Sequence, residues 1–191
     1  MRLSEQQLSY FNTFGFLVFR QLFSPAEVDL YRRELDAGLD ARIEGGRHDG
    51  RKRFSATLND SDTPFITSLS DDPRFADVAE QLLGKDVVAI CGDSHYYVGD
   101  TQWHPDMHPW QFEAVKFTIY LEPLTANSGA LRVIPGSHRE PYHSQIASSD
   151  TVTSDIEAIY GVRPDELPAY AFESNPGDVL AFNVATWHSA F

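Results

Sequence analysis

The sequence predicts a mainly β fold in which helices brace an antiparallel sandwich or barrel. Helical patterns fill the first third of the chain, over 1–84, and short runs rich in β-forming residues follow over 85–191. These runs are separated by Pro, Gly and Asn and do not alternate with helical segments, which argues against a parallel sheet. A chain of 191 residues suits a single domain.

Capping motifs locate the predicted helices. Ser4 with Gln7 and Ser24 with Glu27 have the form of capping boxes. The predicted helices cover 5–14, about 25–43, and a segment from Asp72 to Gly84, with a short strand over 16–19. The later predicted strands cover 86–91, 94–98, 114–121, 130–134, 169–173 and 178–184. Residues 45–64 lack a regular pattern and predict a loop.

The charge balance argues against nucleic acids and anionic membranes as partners. Fifteen Lys and Arg against 28 Asp and Glu give a formal net charge of −13, which repels nucleic-acid backbones and anionic membranes. The single cysteine, Cys91, cannot form an intramolecular disulfide or a cysteine-based zinc site. No run has the length of a membrane span, and the first residues lack a secretory pattern. We therefore expect a cytoplasmic protein that binds neither nucleic acid nor membranes.

His104, Asp106 and His188 are the candidate metal ligands. In an extended backbone every second side chain projects from the same face, so His104 and Asp106 can converge on one ion. His188, at the end of an apolar strand, is the third candidate. Two imidazoles and one carboxylate leave three octahedral positions open, which suits a non-haem Fe(II) oxygenase.

Each candidate also has a purely structural interpretation. A His-x-Asp triplet can form a salt bridge in an exposed loop, and a lone histidine on an apolar strand can be a core residue bonded to the backbone. His104 and His108 have the spacing of a zinc pair on a helix, but Pro105 and Pro109 oppose a helix there.

The chain resembles the phytanoyl-CoA dioxygenase family of Fe(II)- and 2-oxoglutarate-dependent oxygenases. Four stretches carry the resemblance in the family's order: 14–18 with 23–27, Trp103-His104-Pro105-Asp106, 127–138, and 176–183 leading to Trp187-His188. The resemblance implies a double-stranded β-helix, or jelly roll, and O2-dependent hydroxylation of a small molecule. It also implies that His104, Asp106 and His188 hold the iron. Asp106 distinguishes the chain from related halogenases, which lack the carboxylate ligand, so hydroxylation is favoured over chlorination.

The chain departs from the family pattern at the 2-oxoglutarate site. Similar proteins bind the distal carboxylate with an arginine on the last barrel strand, beyond the second histidine, whereas this sequence stops at Phe191. We expect that the last strand lies outside this sequence, because its loss would expose a sheet edge. Otherwise another cation replaces the arginine, or the protein is a non-catalytic metal- or ligand-binding jelly roll. Lys116 is the candidate cation within the chain, and Thr118, on the same strand face, is a candidate hydrogen-bond partner of 2-oxoglutarate.

Trp110 and Arg53 are the candidate substrate residues. Trp110 follows the proposed ligands where related ectoine hydroxylases carry an aromatic, although core packing explains it equally well. Arg53 belongs to a cluster of four cations over 47–53, which could form a lid that recruits an anionic substrate. A solvated loop is the alternative interpretation of that cluster.

Overall fold

Helices precede most of the strands in the computed structural model, which describes residues 1–90, 92–147, 161–162, 166 and 168–190. The helices are α1 (Glu5–Phe14), α2 (Pro25–Asp40), α3 (Pro64–Ser68), α4 (Pro73–Leu83) and α5 (Tyr142–Ala147), with a 3₁₀ turn over Leu69–Asp71. The strands are β1 (Phe16–Phe19), β2 (Phe54–Thr57), β3 (Asp93–Tyr96), β4 (Thr101–His104), β5 (Val115–Ile119), β6 (Leu131–Val133), β7 (Tyr170–Ala171), β8 (Val179–Asn183) and β9 (His188–Ala190). No helix in these ranges combines the length and apolarity of a membrane span.

The predicted caps form as expected at the ends of the helices. Both capping boxes are complete, at Ser4 and at Ser24. Gly15 ends α1 in the left-handed region with a φ of 83°. The Gly15 carbonyl accepts hydrogen bonds from Asn183 N at 2.9 Å and from Thr186 Oγ1 at 3.2 Å. The end of α1 is therefore bonded to the segment that follows β8.

The strand predictions were partly wrong. The predicted loop over 45–64 contains β2, which pairs antiparallel with β3. Residues 86–90 form no strand, and the side chains of Val88 and Ile90 are 89% and 82% exposed. Residue 91, and with it Cys91, lies outside the described residues. These errors share a cause, because strand pairing depends on distant residues that local composition does not report.

Three antiparallel sheets form in the described part of the chain, with strand orders β1-β8-β5, β4-β9-β6-β7 and β2-β3. They do not close into a barrel within those residues. The expectation of a strand-rich fold braced by helices is therefore confirmed.

The central strand β8 separates two apolar layers. Val179 and Ala181 pack with the helices, in a cluster that includes Phe11, Phe75 and Val78. The alternate residues Leu180 and Phe182 belong to a second cluster, completed by Phe16, Val133 and Phe172. The β1-β8-β5 sheet therefore lies between the helices and the β4-β9-β6-β7 sheet.

A tight turn before β8 gives a stability prediction. Gly177 has a φ of 93°, and a Cβ atom there would lie 2.6 Å from the Phe23 carbonyl oxygen. We expect Gly177→Ala to lower the free energy of unfolding by roughly 1–3 kcal/mol, because both backbone strain and a steric clash oppose it. Urea denaturation measures the loss.

Gly45→Ala is the matched control for that variant. Gly45 has a φ of 91°, but a Cβ there would contact nothing within 4 Å. An equal loss of stability in the two variants would show that strain alone, and not the contact with Phe23, accounts for the effect.

Candidate metal centre

His104, Asp106 and His188 lie together. One ligand atom from each residue can be chosen so that all three atoms are within 4.8 Å of one another. Nε2 of His188 is 3.8 Å from Oδ1 of Asp106, and the two imidazole centroids are 4.3 Å apart. Three side chains at this separation can contact a common ion.

Strand pairing brings the two histidines together. His104 is the last residue of β4, and His188 is the first residue of β9, directly opposite it in the antiparallel ladder. His188 therefore begins a separate strand, and the prediction that it ends the strand of 178–184 was wrong. β8 ends at Asn183, and Thr186 N donates to the Asn183 carbonyl in the turn that follows.

Asp106 reaches the cluster from a turn and not from the strand. The backbone N–H groups of Asp106 and Met107 both donate to the Val184 carbonyl, at 2.9 and 3.1 Å. This carbonyl belongs to the segment that leads to His188. The period-two argument thus identified two residues that do converge, but hydrogen bonds to Val184, and not an extended strand, fix the position of Asp106.

Both imidazoles have a nitrogen available for a metal. Nδ1 of His104 lies 2.7 Å from the Gln102 carbonyl oxygen, and Nδ1 of His188 lies 2.9 Å from the Thr186 carbonyl oxygen. A carbonyl oxygen only accepts, so the neutral form of each imidazole carries its proton on Nδ1 and offers the Nε2 lone pair. Backbone bonds of this kind orient histidine ligands in metal sites.

The cluster is buried on one side and open on the other. The His188 side chain is 5% exposed, whereas that of Asp106 is 26% exposed. Burial lowers the pKa of His188 well below its usual value, so this imidazole is neutral at pH 7. A neutral imidazole is the form that binds metal ions.

Lys116 contacts the carboxylate of this cluster. Its Nζ lies 3.0 Å from both Oδ1 and Oδ2 of Asp106. On the same strand, Phe117 and Ile119 pack against the helical cluster, so Lys116 and Thr118 project from the opposite face. The structure thus places Lys116 beside the candidate ligands and Thr118 on the same face of β5.

A sequence model of the phytanoyl-CoA dioxygenase (PhyH) family matches residues 11–191. The chain belongs to the phytanoyl-CoA dioxygenase family. The match covers nearly the whole chain and confirms the resemblance carried by its motifs. The enzyme class expected from the sequence, an Fe(II)- and 2-oxoglutarate-dependent dioxygenase, is confirmed with it.

Curated relatives are ectoine dioxygenases. The protein of that name from Sphingopyxis alaskensis is 29% identical, over 98% of this chain and 70% of the relative. The ectoine dioxygenase of Bordetella bronchiseptica is 28% identical, over 72% of this chain and 50% of the relative. This family member thus spans between half and about two thirds of the length of these relatives.

Solved structures share its fold. EctD from S. alaskensis with bound Fe superposes with a TM-score of 0.70 at 23% identity, covering 98% of this chain and 70% of that one. HygX from Streptomyces hygroscopicus, with nickel and 2-oxoglutarate bound, gives a TM-score of 0.73 at 20% identity, covering 99% and 81%. The helix-braced sheets described above are therefore a fold that these two proteins share.

In this phytanoyl-CoA dioxygenase family member, Arg53 is tied to the strand that carries His104. Its guanidinium carbon lies 3.8 Å from the centroid of the Tyr97 ring. It donates to Thr101 Oγ1 at 3.0 Å and to the Asp100 carbonyl at 3.3 Å. Thr101 is the first residue of β4, so Arg53 contacts the strand that ends at the candidate ligand. Whether residues 45–64 act as a lid stays a prediction.

Trp110 lies on the surface. Its side chain is 64% exposed, so the alternative of core packing was wrong. One face of the indole stacks on the His108 ring, with centroids 4.5 Å apart and an interplanar angle of 2°. A role in substrate binding stays a prediction for this residue.

A hydrogen bond to His143, which no sequence motif indicates, fixes the position of His108. His143 in α5 is fully buried, and its Nδ1 lies 3.1 Å from the carbonyl oxygens of Ser137 and Ala185. Its Nε2 therefore accepts a hydrogen bond from Nδ1 of His108, 2.9 Å away. This histidine pair connects the segment after Asp106 to the turn before His188. No local pattern marks His143, because its partners are distant in sequence.

Proposed function

We propose that this protein hydroxylates a small molecule in a reaction that needs Fe(II), 2-oxoglutarate and O2. The observation that carries the proposal is the convergence of His104, Asp106 and His188 on one point with an open side. Family membership supports it, as do the similar structures of EctD with bound Fe and of HygX with nickel and 2-oxoglutarate.

The three side chains would hold the iron through Nε2 of each histidine and one carboxylate oxygen. A donor set of two imidazoles and one carboxylate would leave such an ion room to bind 2-oxoglutarate and O2. When bound, the iron supplies the oxidative decarboxylation of 2-oxoglutarate to succinate and CO2, coupled to insertion of one oxygen atom into a substrate C–H bond. The carboxylate of Asp106 favours hydroxylation over chlorination. The backbone carbonyls that accept from each histidine Nδ1, and the Val184 carbonyl that accepts from the Asp106 N–H, hold the ligands in place before the metal arrives.

Lys116 and Thr118 are the proposed contacts of 2-oxoglutarate. Lys116 is about half exposed and lies next to the cluster, so a second anionic group can reach it. Thr118 shares its strand face and offers a hydroxyl group. A cation is needed here because 2-oxoglutarate carries two negative charges in an acidic protein.

We assign the β1-β8-β5 and β4-β9-β6-β7 sheets to the two halves of a double-stranded β-helix in a single oxygenase domain over 1–191. The layering of these sheets about Phe182 and Val133 supports this assignment. The acidic composition and the single cysteine support a cytoplasmic location.

Two sequential measurements test the proposed reaction. Anaerobic addition of Fe(II) and 2-oxoglutarate should produce the weak visible charge-transfer band of a chelated complex. Admission of O2 should then release succinate, and a small-molecule substrate should increase the rate. The band without any succinate, across a panel of candidate substrates beginning with ectoine, would instead indicate a non-catalytic ligand-binding protein.

Arg53 gives a prediction about the substrate. We expect Arg53→Ala to raise KM for the substrate that stimulates succinate release, with a smaller change in kcat. The effect should shrink as salt is added, because screening weakens the attraction of a cation for an anionic substrate. Initial rates at low and high ionic strength measure it.

Arg51→Ala is the matched control, since Arg51 lies in the same cationic segment and its backbone N–H bonds only locally, to Asp49. Equal KM values for the two variants and the wild type would show that Arg53 does not take part in substrate binding.

A further inference from the structure

The contact between Lys116 and Asp106 has a direct bearing on metal binding. Nζ of Lys116 is 3.0 Å from each carboxylate oxygen, so both oxygens of the candidate ligand are engaged by one cation. A carboxylate that binds a metal through one of these oxygens must share its charge between the ion and the lysine. Lys116 and a divalent ion therefore compete for Asp106.

Backbone pairing holds Lys116 at this position. Lys116 lies opposite Phe182 in the β5–β8 ladder, and its Nζ is 5.8 Å from the Phe182 ring centroid. The Phe182 ring lies in turn 4.9 Å from the His188 ring. The lysine cannot move far from the cluster without leaving its strand, but its half-exposed side chain can reorient locally.

The charges of the bound groups determine whether Lys116 or a divalent ion engages the Asp106 carboxylate. A divalent ion at the cluster faces the positive charge of Lys116 at short range, in a partly buried site where screening is incomplete. A dianionic co-substrate offsets this repulsion between the ion and Lys116, because its carboxylates attract both of them. Lys116 then has an anionic partner other than Asp106.

We propose that Lys116 couples the binding of the metal to the binding of 2-oxoglutarate. Without the co-substrate it holds Asp106 and weakens metal binding; with the co-substrate it pairs with a 2-oxoglutarate carboxylate and leaves Asp106 to the metal. The inference rests on the proposed function. Coupling of this kind is reciprocal, so 2-oxoglutarate strengthens metal binding by the same factor as the metal strengthens 2-oxoglutarate binding.

Anaerobic titration with Mn(II), in the presence and absence of 2-oxoglutarate, tests the coupling without relying on turnover. Lys116→Met keeps a side chain of similar length and removes the charge. We expect it to bind Mn(II) alone about tenfold more tightly than the wild type, because the repulsion is gone. The factor by which 2-oxoglutarate strengthens Mn(II) binding should fall by about tenfold in the same variant.

Two further variants serve as controls. Lys85→Met removes the lysine of an exposed pair with Glu113 and should leave both affinities unchanged. Lys116→Arg keeps the charge and should retain the coupling. Thermal unfolding of each variant shows whether it is folded.

The outcomes separate the coupling from the proposed function. Tighter Mn(II) binding and lost coupling in Lys116→Met support the inference. Unchanged or weaker Mn(II) binding in that folded variant overturns it and leaves Lys116 as a residue that only positions Asp106. Failure of the wild type to bind Mn(II) at all, together with absent succinate release, would overturn the proposed function itself.

Discussion

Replacing Asp106 with alanine is expected to abolish metal retention and O2-dependent succinate release. The change removes one of three ligands and leaves the positive charge of Lys116 beside the two imidazoles. His104→Ala removes a ligand without exposing that charge. We expect each variant to weaken Mn(II) binding by more than about 100-fold, since even residues that only support a ligand can contribute 10–100-fold. Metal content after desalting and anaerobic titration measure the effect.

Asp77→Ala is the control for these variants, because Asp77 is an exposed carboxylate on α4 outside the cluster. It should retain metal as the wild type does. Normal metal retention by both His104→Ala and Asp106→Ala would show that the cluster is not the metal site.

Asp178 should be the most costly carboxylate to remove from the fold. Its side chain is 1% exposed and accepts hydrogen bonds from Gln21 N at 2.8 Å, Asn175 N at 3.0 Å and Arg20 Nη1 at 2.7 Å. Asp178→Ala leaves the backbone N–H groups of Gln21 and Asn175 without this acceptor, whereas the half-exposed Arg20 keeps its bond to the Glu173 carbonyl. We expect it to lower the free energy of unfolding by about 3–5 kcal/mol, measured by urea denaturation.

The exposed pair of Lys85 and Glu113 gives the comparison. Glu113→Ala breaks a salt bridge on the surface and should cost less than about 1 kcal/mol. A loss of similar size for Asp178→Ala would show that the donors around Asp178 find water on its removal.

The lowered pKa of Asp178 makes the stability of the fold depend on pH. Burial alone would raise its pKa, but hydrogen bonds from the backbone of Asn175 and Gln21 and from Arg20 outweigh burial, so its pKa lies below the usual value. The stabilisation is therefore present above the pKa of an unfolded aspartate, about 3.9, and is lost as the pH falls through the lower folded value. In the Asp178→Asn variant, the free energy of unfolding should fall less steeply as the pH is lowered. Urea denaturation at a series of pH values, from pH 5 down to the acid transition, measures this slope.

The sequence was most informative where the signal was local. Capping boxes at Ser4 and Ser24, and glycines at 15 and 84, located the helix ends because they act through hydrogen bonds within a few residues. β2 and β4 were missed, and a strand was wrongly expected over 86–90, because pairing partners decide whether a short apolar run becomes a strand.

In the candidate site, too, the residues marked by a local signal could be predicted, and the contacts between distant segments could not. His104 and Asp106 could be found from their spacing, and His188 from the family pattern of the strand before it. The salt bridge between Lys116 and Asp106 and the bond between His108 and His143 depend on how β5 and α5 fold back onto the chain. Residue types and spacing carry no information about such pairings.

The bonds that converge on the Gly15 carbonyl tie the first helix to the turn before His188. Because Asn183 and Thr186 supply both donors, we expect local opening at the end of α1 to release the backbone that orients His188 as well. The end of the N-terminal helix and the candidate metal cluster should then open together. Metal loading should therefore slow amide hydrogen exchange at the C-terminal end of α1, although this helix is far from His188 in sequence.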